Sequence, residues 1–231
     1  MSDTLDAVLA SAARLQQVVP DAVLVGGSAA ALYAQHRDSY DHDHVLRDLQ
    51  HRYAAVLEAV ESTDGWATSV RASSPPLTLL GSLDGIEAGL RQLRRSRPLE
   101  VAERELPGGA RLRVPTHDEI LRIKAFLVVQ RNQVRDYLDT AALAEGMGIR
   151  AAVDVLASID QYYADRSDEQ DAVLTALVQR LSEPNPRDRR ATTQLRSYKG
   201  LGPRWHSWTA VTEVANDLAD RLLARVEEGP R

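Results

Sequence analysis

The chain has 231 residues, of which 44% are hydrophobic and 26% charged, with a formal net charge of −5 and no cysteine. That is enough apolar material for a buried core, and it excludes disorder, disulfides and thiolate metal sites. The acidic balance gives no global reason to expect nucleic-acid binding, so any such surface has to be local.

Leu5, Val8, Leu9, Ala12, Leu15 and Val18 recur at helical spacing, and Pro20 ends the helix they predict. The first residues carry acids rather than a basic apolar leader, and no apolar run approaches about 18 residues. The chain is therefore expected to be cytoplasmic, with no membrane partner. Residues 22–25 read as a short buried strand, Gly26-Gly27-Ser28 as the turn into a helix over 29–35, and residues 40–46 as a strand. Leu49, Tyr53, Val56, Leu57 and Val60 mark a helix ending near Gly65. Short strands and turns follow from Trp66 to Val114, with a strand from Ile86 in which Ile86, Ala88 and Leu90 point inward. Thr116 with Glu119 predicts a capping box that opens a helix to about residue 129, and a second helix starts at Val134. The remainder reads as helical, apart from an interruption rich in Arg, Pro and Gly over 184–203. The layout is α+β: a small mixed sheet flanked by helices over residues 1–115, then a helical C-terminal half over 116–231.

The informative stretch runs from Val23 to His44. Gly26 and Gly27 let the backbone approach a triphosphate, Ser28 adds a hydroxyl, and the helix that follows offers free N–H groups to phosphate oxygens. The chain then returns as a strand with Asp41 and Asp43, two apart and so on one face. Two such carboxylates suit Mg2+, or Mn2+, bridging phosphates toward an attacking hydroxyl.

Taken together, the strand, Gly-Gly-Ser, one helix and a strand with Asp-x-Asp resemble the nucleotide-binding motif of the DNA polymerase β-like nucleotidyltransferase superfamily. Arg37 and Ser39 make the stretch similar to one branch, the AbiEii/AbiGii-type toxin nucleotidyltransferases, to which the MenT toxins belong. Residues 112–124 and 131–139 resemble the same branch, with a lysine-bearing helix followed by an Arg-Asp-x-x-Asp turn. The resemblance spans residues 23–144 and implies a minimal nucleotidyltransferase fold and NTP as substrate. It also implies an RNA acceptor, the 3′ end of tRNA, and a cognate antitoxin as partner. Under it Gly26, Gly27, Ser28 and Arg37 bind nucleotide, Lys124 neutralises the triphosphate, and Asp136 stands near the active site with Asp139 behind it. On the residues alone, Lys124 sits on an apolar helix and needs an anionic partner, unless its head reaches water.

The superfamily uses a third metal carboxylate, for which Glu87 is the choice and Asp84, in the adjacent turn, the alternative. His42 and His44 flank the acids but alternate to the other face, as packing or surface residues. A hydrolase built on His36, His42, His44 and His51 with the aspartates would need them on one face. For an acceptor, Arg91 and Arg95 belong to one basic cluster, and Arg189, Arg190 and Arg196 to another with Trp205 beside it. Arginines track phosphate and aromatic rings stack on unpaired bases. Other acceptors, a protein or an antibiotic, stay open, as does a non-catalytic binding module.

Overall fold

The chain divides into two units, Met1–Leu32 with Asp38–Thr116, and Tyr33–Arg37 with His117–Arg231. The computed structural model describes residues 2–165 and 172–227.

In the first unit, Ser2 caps α1 (Asp3–Val18) by accepting a hydrogen bond from the Leu5 N–H. The face that the spacing predicts, Leu5, Val8, Leu9, Ala12 and Leu15, is buried. Then come β1 (Val23–Val25), α2 (Gly26–Ala34), β2 (Asp41–Leu46), α3 (Leu49–Glu61), β3 (Trp66–Thr68), β4 (Thr78–Leu83), β5 (Ile86–Gln92), β6 (Val101–Glu105) and β7 (Arg111–Pro115). Five strands form one sheet in the order β1-β2-β5-β4-β3, and β6 pairs with β7 in a second sheet. β2 and β5 are parallel, and the other pairs in that sheet are antiparallel. The sheet is therefore mixed, as expected.

α2 begins at Gly26, three residues earlier than the sequence suggests. Gly26 takes φ +76°, a left-handed conformation that turns the chain from strand into helix without a loop. Ala29, Ala30 and Ala31 are then wholly buried. One face of the sheet, with Leu46, Leu79, Leu83, Ala88 and Leu90, packs with Leu15, Leu49, Val56 and Val60 from α1 and α3. Each such side chain stabilises the fold by roughly 1.5–3 kcal/mol. With that face closed by helices, the opposite face is left to carry chemistry.

The second unit contains α4 (His117–Gln130), α5 (Val134–Met147), α6 (Ile149–Leu156), α7 (Ile159–Tyr162), α8 (Val173–Ser182) and α9 (Trp208–Glu227). α4 packs on α5, α6 and α8, and α9 on α5, α6 and α8. Buried Ile120, Leu121, Leu138, Leu156, Leu177, Val211 and Leu218 supply the core. The irregular stretch resolves into three short 3-10 turns, Arg189–Thr193, Leu195–Ser197 and Pro203–Trp205. Among the described residues, no helix is long and apolar enough to cross a membrane.

Candidate active site

Asp41 and Asp43 lie on the sheet face opposite the core. The parallel register sets Asp41 beside Glu87 and Asp43 beside Gly89, while β1 sets Val25 beside Asp43. The Ser39 hydroxyl donates to Asp41 Oδ1 at 3.0 Å, and the Ser28 hydroxyl donates to the Asp41 carbonyl. Ser28 is almost fully buried, so in this structure its hydroxyl ties α2 to β2. Arg91 Nε donates to Asp43 Oδ1 at 3.2 Å.

Gly89 makes room for Asp43, whereas a side chain at Gly26 would meet it only in ordinary contact. A Cβ on Gly26 would stand 3.6 Å from Asp43 Cβ, and a Cβ on Gly89 only 2.3 Å from Asp43 Oδ1. The Asp43 carboxylate thus occupies the space where a β5 side chain would be. Gly89→Ala is expected to fold, because the colliding atom ends a flexible side chain, but to push the carboxylate aside. A displacement of this kind costs about 10²-fold in turnover. Turnover measured beside a thermal melt checks it; full activity would mean that the position of Asp43 is unimportant.

The donor set suits a hard cation. Mg2+ is held by one or two carboxylates together with substrate phosphates, and Asp41 and Asp43 present only oxygen. Glu87 is exposed on the same face, in register with Asp41, whereas Asp84 is engaged by Arg14. Of the two, Glu87 is the one in register with Asp41. Among the described residues no three acid, imidazole or thiol groups come together as a metal-holding cluster.

His42 and His44 point into the core, both fully buried, as strand alternation requires. The face-sharing His–Asp set that a hydrolase needs is therefore not formed here. His42 Nε2 lies 3.0 Å from the Ser11 hydroxyl, and the two imidazoles meet edge to face at 5.3 Å. Burial lowers the His42 pKa to about 4, against the pull of Asp41, and burial with neighbouring His42 holds His44 well below 6.5. Unfolded, both protonate near the ordinary value of 6.5. Between those values the unfolded chain binds more protons, so stability present above 6.5 is lost as pH falls toward 4. His42 alone should contribute a loss of about 2 kcal/mol between pH 6.5 and pH 5. Urea denaturation across that range checks this, and His42→Leu should flatten the slope.

The second unit holds a buried charge cluster centred on Asp139 of α5, which is 0% exposed. His36 Nε2 lies 2.7 Å from Oδ1, Arg37 donates from Nε at 2.8 Å and Nη2 at 3.1 Å, and Lys124 Nζ pairs with Oδ2 at 2.7 Å. Burial alone would raise the Asp139 pKa, but Arg37, Lys124 and His36 hold it well below the ordinary carboxylate value. Burial keeps His36 below 6.5 despite Asp139. One carboxylate thus pairs with two cations, Arg37 and Lys124.

Lys124 does have the anionic partner that its apolar helix demands, and in the structure that partner is Asp139. Asp136 is buried against Arg131 from the preceding loop, and its Oδ2 has no hydrogen-bond partner among the described residues. His36 and Asp139 are thus the members of the cluster that the sequence reading undervalued. Their signal was available: a lysine and an arginine that need an acid, with Asp139 one turn beyond Asp136.

Arg189, Arg190 and Arg196 are exposed, as an acceptor surface requires. Trp205 is only 5% exposed and cannot stack on a base; it is packed, with the Arg204 guanidinium 5.2 Å from its ring. Arg95 is 6% exposed and donates to the carbonyls of Arg97 and Pro98, so it braces its own loop rather than facing an acceptor. Arg91 faces Asp43.

No model of a known protein family matches the chain. It is 31% identical over 201 residues to the heme uptake protein MmpL11 of Mycobacterium tuberculosis, covering 78% of this chain and 19% of that protein. It is 41% identical over 96 residues to the mycolic acid-containing lipids exporter MmpL11 of Mycolicibacterium smegmatis, covering 42% of this chain and 10% of the exporter. The chain thus spans about a fifth or less of the curated relatives it matches. Among solved structures it is similar to the antibiotic-resistance factor ANT(2'')-Ia, with TM-score 0.51 and 11% identity over 71% of this chain and 96% of that one. An antigenic nucleotidyltransferase-like protein from Paracoccidioides brasiliensis has TM-score 0.47 and 17% identity over 76% of this chain and 94% of that one. The likeness to ANT(2'')-Ia is one of fold alone, an α+β fold with a small mixed sheet and a helical C-terminal half.

Proposed function

We propose that the chain is a Mg2+-dependent nucleotidyltransferase that moves a nucleotide from an NTP to an RNA acceptor, the 3′ end of a tRNA. The supporting observation is the open sheet face on which Asp41 and Asp43 stand side by side, cleared at Asp43 by Gly89. Mg2+, or Mn2+, held by Asp41 and Asp43 would neutralise phosphate charge and align the acceptor. Gly26 and Gly27 at the start of α2 offer backbone N–H groups to the phosphates. Arg37 and Lys124 supply positive charge for the triphosphate. The acceptor hydroxyl oxygen forms a bond to the α-phosphorus, and the α–β phosphoanhydride bond breaks. Pyrophosphate leaves with that electron pair, the hydroxyl proton passes to water, and Glu87 would serve as the third carboxylate at the metal. Exposed Arg189, Arg190 and Arg196 contact acceptor phosphates.

We further place the enzyme as the toxin of a toxin–antitoxin pair, acting in the cytoplasm. The names of the MmpL11 proteins describe transport by chains several times longer, and say nothing of this reaction. The test is to incubate the purified protein with each labelled NTP, Mg2+ and total tRNA. Label in RNA with release of pyrophosphate is expected; label that stays in the NTP would overturn the reading.

A second reading, an antibiotic or other cationic small molecule as acceptor, is favoured by one feature. A cavity of about 660 Å3 is lined by Tyr40, Asp41 and Glu87, an aromatic and two acids suited to an amino sugar. Adding an amino-sugar antibiotic to the same assay decides between the acceptors.

A further inference from the structure

A different cavity, of about 620 Å3, lies at the other end of β2, where Val45, Leu46, Arg47 and Asp48 line it. Its size is within the range of about 300–1,000 Å3 typical of ligand sites. Val45 shares a sheet face with Asp41 and Asp43 and stands two positions beyond Asp43, about 7 Å along the strand. The cavity therefore adjoins the carboxylate face without containing either aspartate.

Its walls combine two chemistries. Val23, Val45, Leu93 and Leu99 give apolar surface, and Arg47 and Arg113 give guanidinium groups. Asp21 and Asp48 also line it, but Arg52 engages both. Arg113 Nη1 donates to the Pro20 carbonyl at 2.9 Å, and neither Arg47 nor Arg113 has a carboxylate partner among the described residues. Two arginines without acids, above an apolar floor, match a phosphate on a flat body, because the guanidinium fork fits phosphate oxygens bidentately.

We propose that this cavity binds one nucleotide unit of the acceptor, with its phosphate on Arg47 and Arg113 and its base against Val23, Val45, Leu93 and Leu99. The NTP does not belong here, since the acids lining the cavity, Asp21 and Asp48, are paired with Arg52 and, among the described residues, the lining offers no further carboxylate for a metal. Binding is therefore independent of metal. The acceptor role rests on the nucleotidyl-transfer reading; the binding does not.

The experiment is calorimetric titration of the full chain in EDTA with AMP, with adenosine, and with a single-stranded RNA trimer that has a free 3′ hydroxyl. AMP and the trimer are expected to bind, and adenosine at least about tenfold more weakly. Arg47→Ala and Arg113→Gln should each weaken AMP and trimer about tenfold. Arg47 is exposed and makes no ion pair among the described residues, so its removal leaves the melting temperature unchanged; Leu99→Trp, which fills the cavity, gives a second route to the same loss. Asp41→Asn/Asp43→Asn should bind both probes like the wild type. No binding in EDTA, or binding indifferent to Arg47, Arg113 and Leu99, overturns the site. AMP binding without trimer binding overturns its acceptor role. Transfer that survives Asp41→Asn/Asp43→Asn would instead sink the nucleotidyl-transfer reading and leave the cavity standing.

Discussion

Replacing Asp41 and Asp43 together by alanine is expected to abolish nucleotidyl transfer, by a factor of about 10³ or more, in a protein that still folds. The size follows from losing the metal-held charge stabilisation of the transition state, since even one stabilising donor is worth about 10²–10³. Retention of the fold follows from the geometry. The two carboxylates project from the open face of β2, carry like charge, and contribute nothing to the core formed by Leu46, Leu79, Leu83 and Leu90. Removing adjacent like charges relieves repulsion. Arg91 loses its contact with Asp43, but that pair is substantially exposed and contributes little. The checks are pyrophosphate release with Mg2+ and circular-dichroism melting. A folded double mutant that still transfers would show that the chemistry lies elsewhere.

The largest loss of stability is expected from Asp139→Ala. Truncating one partner of a buried ion pair leaves an uncompensated charge in the interior and costs about 3–5 kcal/mol. Here the aspartate satisfies Arg37 and Lys124 at once and also holds His36. The urea midpoint should fall accordingly, if the variant accumulates at all. Lys124→Ala should cost less stability, because Asp139 keeps Arg37 and His36, but about 10²-fold in rate if its charge also reaches the triphosphate. A destabilised Lys124→Ala with unchanged turnover would make the lysine purely structural. The pH signatures separate the cluster from the core histidines. Asp139 has a depressed pKa, so its contribution is complete above the ordinary value of 3.8 and is lost only as pH falls through the lower folded value. His42 acts between 6.5 and about 4.

Local periodicity was sufficient for most of the elements. The spacing of Leu5, Val8, Leu9, Ala12 and Leu15 located α1, and alternation in residues 41–46 separated Asp41 and Asp43 from His42 and His44 before any coordinates. These readings hold because side-chain direction along one strand or helix is a property of a few consecutive residues. The carboxylate pair, the glycine turn and the lysine on an apolar helix were legible for the same reason.

What only the tertiary structure decided involves residues far apart in the chain. Nothing near Gly89 announces that its missing side chain is the space for Asp43; the parallel register of β2 on β5 does that. That Asp139 gathers Lys124 while Asp136 meets Arg131 depends on how α4 packs on α5. Trp205 and Arg95, both plausible acceptor contacts by type, are withdrawn by burial, which no local pattern reports for a single residue. The pairing of Arg47 with Arg113 in one cavity arises between segments more than sixty residues apart. Chemistry that needs two side chains on one strand is written in their spacing. Chemistry that needs a glycine opposite an acid, or one acid among several cations, exists only once strand register and helix packing are set.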